Sequence, residues 1–363
     1  MRPRIESLDG LRFLAALGVL WIHSWTYFGN PRLNIGGFDI TNTLAIGGNG
    51  VDLFFVISGF CMYFFYGDKI SFSYQDFSRF LFKRWIRLSP AFYIATLIYL
   101  FAGWLVNNQQ TEILLKLGIS ALFLNAIFPH YNAAAHFWTL GTEWQFYLLI
   151  PFILIYEKKF GFKKAFCILF FMLVLLSIIS LFAFKANIID WLGNQILFRG
   201  IEFGWGVIVA RLLLKNNVIL IKYRPLYFFI SVSITYIGRI LISKQVLELL
   251  PTYIGLFKLF GFTLMGLGFA CILYLSITSK NRLNKILSNR LFKNTGKLSY
   301  SFYLWHALMI PFCAMFIIKI VPTGIMAPIL TTLLSTLLLY PISYISYILL
   351  EKPFLSVGNL TTK

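Results

Sequence analysis

Arg12 and His23 stand 11 residues apart in the apolar stretch LDGLRFLAALGVLWIHS. At 3.6 residues per turn that is almost a whole number of turns, so on a helix the two side chains share one face, roughly 16 Å apart along the axis. A guanidinium grips a phosphate through two parallel hydrogen bonds, and an imidazole moves protons near neutral pH. The pair suits a long ligand with phosphates at one end and a reactive group at the other. Two carboxylates, Asp52 and Glu143, sit in other apolar stretches and are candidates to orient the imidazole and stabilise its cation. Lys83, Arg84 and Arg87 add cations for the phosphates. The same charges are also what a topology signal would place there.

The elements that must hold these groups follow from composition. Of the 363 residues, 59% are hydrophobic and 12% charged, against about 45–50% and about 25% in a soluble domain. This excludes a disordered chain, a nucleic-acid-binding domain and a soluble enzyme with a polar shell. Apolar stretches of the length a bilayer requires fall at 10–28, 47–66, 88–106, 137–156, 166–184, 195–214, 225–242, 253–277, 299–319 and 326–350. An eleventh, 113–128, is shorter. The net charge of +19 reads as cytoplasmic loops and not as nucleic-acid binding. If 113–128 does not cross, the loops 67–87, 157–165, 211–224 and 279–298 share one side. They carry most of the cations, among them Lys69, Lys158, Lys159, Lys163, Lys164, Lys222 and Lys280, while the opposite side has scattered ones such as Lys185. The fold class expected is therefore all-α: a polytopic membrane helix bundle of about ten transmembrane helices with a short re-entrant or interfacial helix, both termini cytoplasmic. Residues 1–354 form one membrane domain and 355–363 a cytoplasmic tail. Arg2 and Arg4 precede the first stretch, but no small-residue cleavage site follows, so that stretch is retained. Cys61, Cys167, Cys271 and Cys313 lie in apolar runs and read as small buried hydrophobes.

An ionisable group inside a span costs at least about 2.5–3.5 kcal/mol on insertion scales and is a functional candidate for that reason. His23, Asp52, Glu143, Arg199, Glu202, Arg239 and Lys258 all fall in the outer half of their spans, as a cavity open to the outside requires. Bland readings compete for several of them. Asp52 sits at a helix start and stabilises such a terminus. Arg199 and Glu202, three residues apart, neutralise each other. Arg239 and Lys258 snorkel to the outer interface. Gly200 and Gly204 form a GxxxG pattern, which signals close helix packing. His130 and His136 lack a third ligand nearby, so no metal site is expected. No GxSxG elbow supports a serine nucleophile.

At these residues the chain resembles the acyltransferase 3 family, the bacterial integral-membrane O-acyltransferases of surface carbohydrates. The segments carrying the resemblance are LDGLRFLAALGVLWIHS, GVDLFFVISGFCM, KRWIRLSPAFY, FWTLGTEWQFYLLIP, GKLSYSFYLWH and LLEKPF, in the family's order from residue 7 to residue 354. The resemblance implies transfer of an acyl group, usually acetyl, from cytoplasmic acyl-CoA to a hydroxyl of a carbohydrate across the bilayer of the bacterial inner membrane. The acceptor is an O-antigen, capsule, exopolysaccharide or lipid-linked glycan. It further implies His23 as the central catalytic residue and Arg12 with the segment Arg84 to Arg87 as holders of the CoA donor, without a metal. Glu143 is equally suited to bind the sugar. His306, within GKLSYSFYLWH, is expected to pack near the inner side. Many relatives carry a soluble esterase-like domain after the membrane part, and none is expected here. The alternative class is a transporter or flippase of a lipid-linked sugar, which also buries charges in a helix bundle.

Overall fold

The computed structural model describes residues 4–36, 38–39, 41, 46–67, 73–107, 112–183, 186–215, 223–278, 282–321 and 324–355. Arg2, Lys69, Lys185, Lys222 and Lys280, and residues 356–363 of the expected tail, lie outside the described residues. In chain order the elements begin with α1 (Ser7–Tyr27), a short antiparallel ladder of β1 (Asn34–Ile35) with β2 (Phe38–Asp39), α2 (Gly50–Tyr66), α3 (Tyr74–Asn107) and α4 (Ile113–Ala121). There follow α5 (Trp138–Phe160), α6 (Phe162–Ala183), α7 (Ala186–Leu192), α8 (Ile196–Leu214), α9 (Arg224–Leu241), α10 (Lys244–Leu249) and α11 (Ile254–Thr278). The last are α12 (Arg282–Leu287), α13 (Arg290–Lys297), α14 (Ser299–Ile317) and α15 (Met326–Ser346), which runs on into a π-helical turn, Tyr347–Glu351.

Every apolar stretch singled out in the sequence falls on a helix, as expected where long apolar runs must satisfy their own backbone. Five segments are long and apolar enough to cross a membrane by length and composition: Gly47–Tyr66, Tyr74–Val106, Pro251–Thr278, Ser299–Ile317 and Met326–Leu355. Large apolar side chains stay on the surface of several of them, including Leu97, Phe101 and Leu105 on α3, Met315 and Phe316 on α14, and Leu333, Leu337 and Leu349 on and beyond α15. Such faces need lipid against them, and the chain is a membrane protein. The stretch 113–128 yields only the 9-residue α4, about 13 Å of helix against a hydrocarbon core of about 30 Å. After it the chain turns at Phe123, whose φ is 55°, and continues through 3₁₀ turns.

Two local expectations are corrected. The segment 67–87 was assigned to a loop, yet α3 starts at Tyr74 and runs unbroken for 34 residues with Pro90 inside it. Lys83, Arg84 and Arg87 therefore stand on the helix itself. A helix of that length, about 51 Å, exceeds a bilayer core, so its first turns need not be apolar. The four cysteines are free; Cys61 and Cys313 are buried, but Cys167 is exposed and Cys271 only half-buried.

The chain divides into two compact units, one of Met1–Arg4, Asp52–Phe82 and Leu122–Ser279, the other of Ile5–Val51, Lys83–Ala121 and Lys280–Lys363. In the first unit α2 and α8 meet backbone to backbone. A Cβ added at Gly206 would lie 1.9 Å from the Val56 carbonyl oxygen, and one at Gly59 would lie 2.0 Å from that of Phe203. Small residues allow this approach, which van der Waals packing rewards where lipid offers no hydrophobic drive. The GxxxG pattern pointed to the wrong glycines. At Gly204 nothing lies within 4 Å of an added Cβ, and at Gly200 the nearest atom is Ile196 of the same helix at 3.8 Å. Spacing alone does not say which face of α8 meets its neighbour. Behind this contact Phe198, Ile201, Leu259, Phe262 and Met265 form a buried core between α8 and α11. In the second unit α1 is gripped in the same way: an added Cβ would fall 2.4 Å from the Leu287 carbonyl oxygen at Gly10, and at Gly296 it would fall 1.9 Å from that of Asp9. Gly206→Ala is expected to destabilise the protein by about 1–3 kcal/mol through overpacking, and Gly204→Ala to leave it unchanged. Thermal unfolding of both variants in detergent, followed side by side, checks the pair.

Candidate active site

Two histidines of the second unit meet between the last turns of α1 and the middle of α14. His23 Nδ1 lies 2.6 Å from His306 Nε2, with the ring planes 10° apart and their centroids 4.8 Å apart. His306 Nδ1 lies 2.5 Å from the backbone carbonyl oxygen of Tyr303, one turn back on α14. A carbonyl only accepts, so His306 Nδ1 carries the proton and donates it. In the neutral pair His306 Nε2 is then an acceptor, His23 Nδ1–H donates to it, and the lone pair of His23 resides on Nε2. His306 is 1% exposed, so water does not take over these roles. Two tyrosines brace α14 against α3: the Tyr99 hydroxyl donates to the Leu304 carbonyl at 2.9 Å and the Tyr300 hydroxyl to that of Leu88 at 2.8 Å.

The sequence reading gave His306 a packing role and did not pair it with His23; the structure makes the two direct hydrogen-bond partners. The signal was in the sequence all the same. His306 is an ionisable residue in an apolar helix, the criterion that singled out His23, and it was not applied there.

Arg12 stands on α1 below His23, and its guanidinium bonds the buried carboxylate of Asp9 at 3.3 Å. Asp9 thereby aims the guanidinium through one of its Nη groups. Lys293 of α13 pairs with Glu6 just before α1. On α3, Lys83 is half-buried, Arg84 buried and Arg87 exposed. A cation that only signals topology belongs in water; Arg84 at 8% exposure does not fit that role. Glu351, in the π-helical turn, is buried and accepts from the Ser301 hydroxyl, which Ser346 in turn contacts at 2.9 Å.

The two catalytic carboxylate candidates belong to the first unit. Asp52, in the first turn of α2, bonds Arg199 at 2.9 Å, and Arg199 also reaches Glu202 at 3.3 Å. The expected Arg199–Glu202 neutralisation is thus one arm of a triad that also takes in Asp52, 147 residues away in sequence. The guanidinium is walled by the rings of Phe262, Phe55 and Trp138, with centroids 4.2, 5.2 and 5.6 Å from it. Glu143 is half-buried on α5 and accepts from Ser58 at 3.0 Å and from Tyr147, one turn along its own helix. Lys258 is 9% exposed and bonds at 2.6 Å to Asp190, whose carboxylate is itself exposed. Arg239 is half-buried. His130 is exposed and His136 buried. Among the described residues no group of three or more His, Cys, Asp or Glu side chains is placed to hold a metal ion.

The chain is 26% identical over 317 residues to a putative acetyltransferase, ORF330, of Acidianus two-tailed virus, covering 85% of this chain and 83% of that one. It is 26% identical over 223 residues to an O-acetyl transferase of Shigella phage Sf6, covering 56% and 62% respectively. With the O-acetyltransferase OatA of Staphylococcus aureus it shares 24% identity over 383 residues, covering 98% of this chain and 58% of that protein. The chain thus spans less than two thirds of the length of the last two relatives. No solved structure matches it significantly. The profile of the acyltransferase domain matches residues 5–348, a span that takes in Arg12, His23, the cations of α3, both carboxylates and His306, and by that match the chain belongs to the acyltransferase 3 family.

Proposed function

We propose that the protein is an integral-membrane O-acyltransferase moving an acetyl group from cytoplasmic acetyl-CoA to a hydroxyl of a cell-surface or lipid-linked carbohydrate in the inner membrane. The observation that carries this reading is the directed hydrogen-bond chain from the Tyr303 carbonyl through His306 to His23, which puts a basic nitrogen inside an apolar helix bundle. Arg12, on the same helix, supports it with a guanidinium aimed by Asp9. The relatives named as O-acetyltransferases support the reaction type.

In this reading the CoA phosphates lie on Arg12, with Lys83, Arg84 and Arg87 as further cations, and the pantetheine arm follows α1 toward His23. The acceptor oxygen attacks the thioester carbonyl carbon as His23 Nε2 takes the hydroxyl proton. Collapse of the tetrahedral intermediate breaks the carbon–sulfur bond. The departing thiolate takes the proton back from the imidazolium, leaving the ester, free CoA and neutral His23. Glu143 is held by the hydroxyls of Ser58 and Tyr147 and is not needed to orient the imidazole in this reading. Asp52 serves the fold by neutralising the buried Arg199.

His23→Ala is expected to abolish transfer with the protein still folded and inserted. Mass spectrometry of surface glycans from cells making wild type, the variant or neither should show an acetyl adduct with wild type alone; an adduct with the variant overturns the mechanism. Arg12→Ala should raise the donor KM by about 10- to 100-fold, the worth of a charge-assisted hydrogen bond, with a smaller change in kcat, as steady-state CoA release reports. Asp52→Ala should cost about 1.5–3 kcal/mol of stability by removing one of the two carboxylates that bond the buried Arg199, seen as a lower unfolding temperature in detergent.

A further inference from the structure

We infer that His306 is the positioning residue of the reaction, fixing the tautomer of His23 so that its proton-accepting lone pair lies on Nε2. The inference rests on His23 acting as the base, but its own evidence is geometric.

The chain of polarity starts at a group with no choice. The Tyr303 carbonyl accepts and never donates, so the contact at 2.5 Å fixes the proton of His306 on Nδ1. The contact at 2.6 Å then makes His23 Nδ1 the donor. A neutral imidazole has one N–H, so Nε2 of His23 is left as the base. In the serine hydrolase triad a buried carboxylate does this work. Here a second imidazole does it, which orients the first without adding a buried charge to the bundle. When His23 gains the acceptor proton, its Nδ1–H still donates to His306 Nε2 and that bond becomes charge-assisted. No proton needs to pass to His306. The arrangement is rigid: His306 lies at 1% exposure and Tyr99 ties the backbone two residues before it to α3. His306 touches His23 and not the substrate, so it acts by positioning.

The test has two arms on the full-length protein in lipid nanodiscs. Nitrogen-15 NMR of the histidine side chains, assigned through His23→Gln and His306→Gln, should show His23 with a protonated Nδ1 and a bare Nε2. A bare Nδ1 with a protonated Nε2 overturns the inference. In the second arm CoA release from acetyl-CoA is measured together with acetylation of extracted lipid-linked glycan. His306→Phe, which keeps a ring but no acceptor, should lower kcat roughly 10²-fold or more while leaving the donor KM within about twofold. His306→Gln, whose carbonyl can accept from His23, should recover at least about tenfold of that loss. Equal loss in both variants, or unchanged kcat in His306→Phe, overturns the role. A failure of the acyl-transfer reading looks different: His23→Ala keeps its transfer activity whatever the NMR tautomer shows.

Discussion

A polar side chain on an apolar helix finds no partner in lipid, so what its own helix does not satisfy has to be met by another helix. The described chemistry of this protein is built from that constraint. His23 on α1 finds His306 on α14. Asp52 on α2 finds Arg199 on α8, and Glu143 on α5 finds Ser58 on α2. Lys258 on α11 finds Asp190 on α7. In each case the partner is chosen by which helix faces meet, and the pairing restricts how either helix can rotate. Interhelical hydrogen bonds in membranes are worth only about 0.6 kcal/mol on average, so their value lies more in direction than in strength. That is most evident at His23, where the orientation of one bond decides which nitrogen is basic.

Close backbone contact is what lets such short side chains reach. The Asp52–Arg199 bond crosses between α2 and α8, which approach more closely than leucine-lined faces allow. The glycines on and against α1, Gly10 and Gly296, and those between α2 and α8, Gly59 and Gly206, remove the side-chain volume that would hold them apart. The same helices carry the reactive groups: α1 bears Arg12 and His23, α2 bears Asp52 and Ser58, and α8 bears Arg199. Packing and chemistry therefore share elements, and an added methyl group at one of these glycines displaces a functional side chain as well as a backbone.

A good part of this was legible in one dimension. The long helices follow from runs of apolar residues, since a buried backbone must bond to itself, and the short 113–128 stretch was separable by its length and by the side on which the basic loops would otherwise fall. Arg12 and His23 on one face follow from helical period alone. Other features were not legible. The start of α3 at Tyr74 was missed because polar and charged residues at the head of a long helix resemble a loop when judged by hydropathy. Gly200 and Gly204 were chosen over Gly206 because spacing identifies a face but not the neighbour it meets.

What the sequence by itself determined is the set of candidates: long apolar helices, a few ionisable residues inside them, and the motifs, spread across residues 7 to 354, that mark the family. Only the tertiary structure decided which candidate meets which. His23 and His306 are 283 positions apart, and Asp52 and Arg199 are 147 apart. No local periodicity reports on such pairs, because they depend on the tilt, rotation and separation of whole helices. Those are set by glycine contacts and side-chain packing summed over many residues. The identity of the reactive groups is a property of the chain, and their hydrogen-bond partners, hence the atom that carries the base, are a property of the fold.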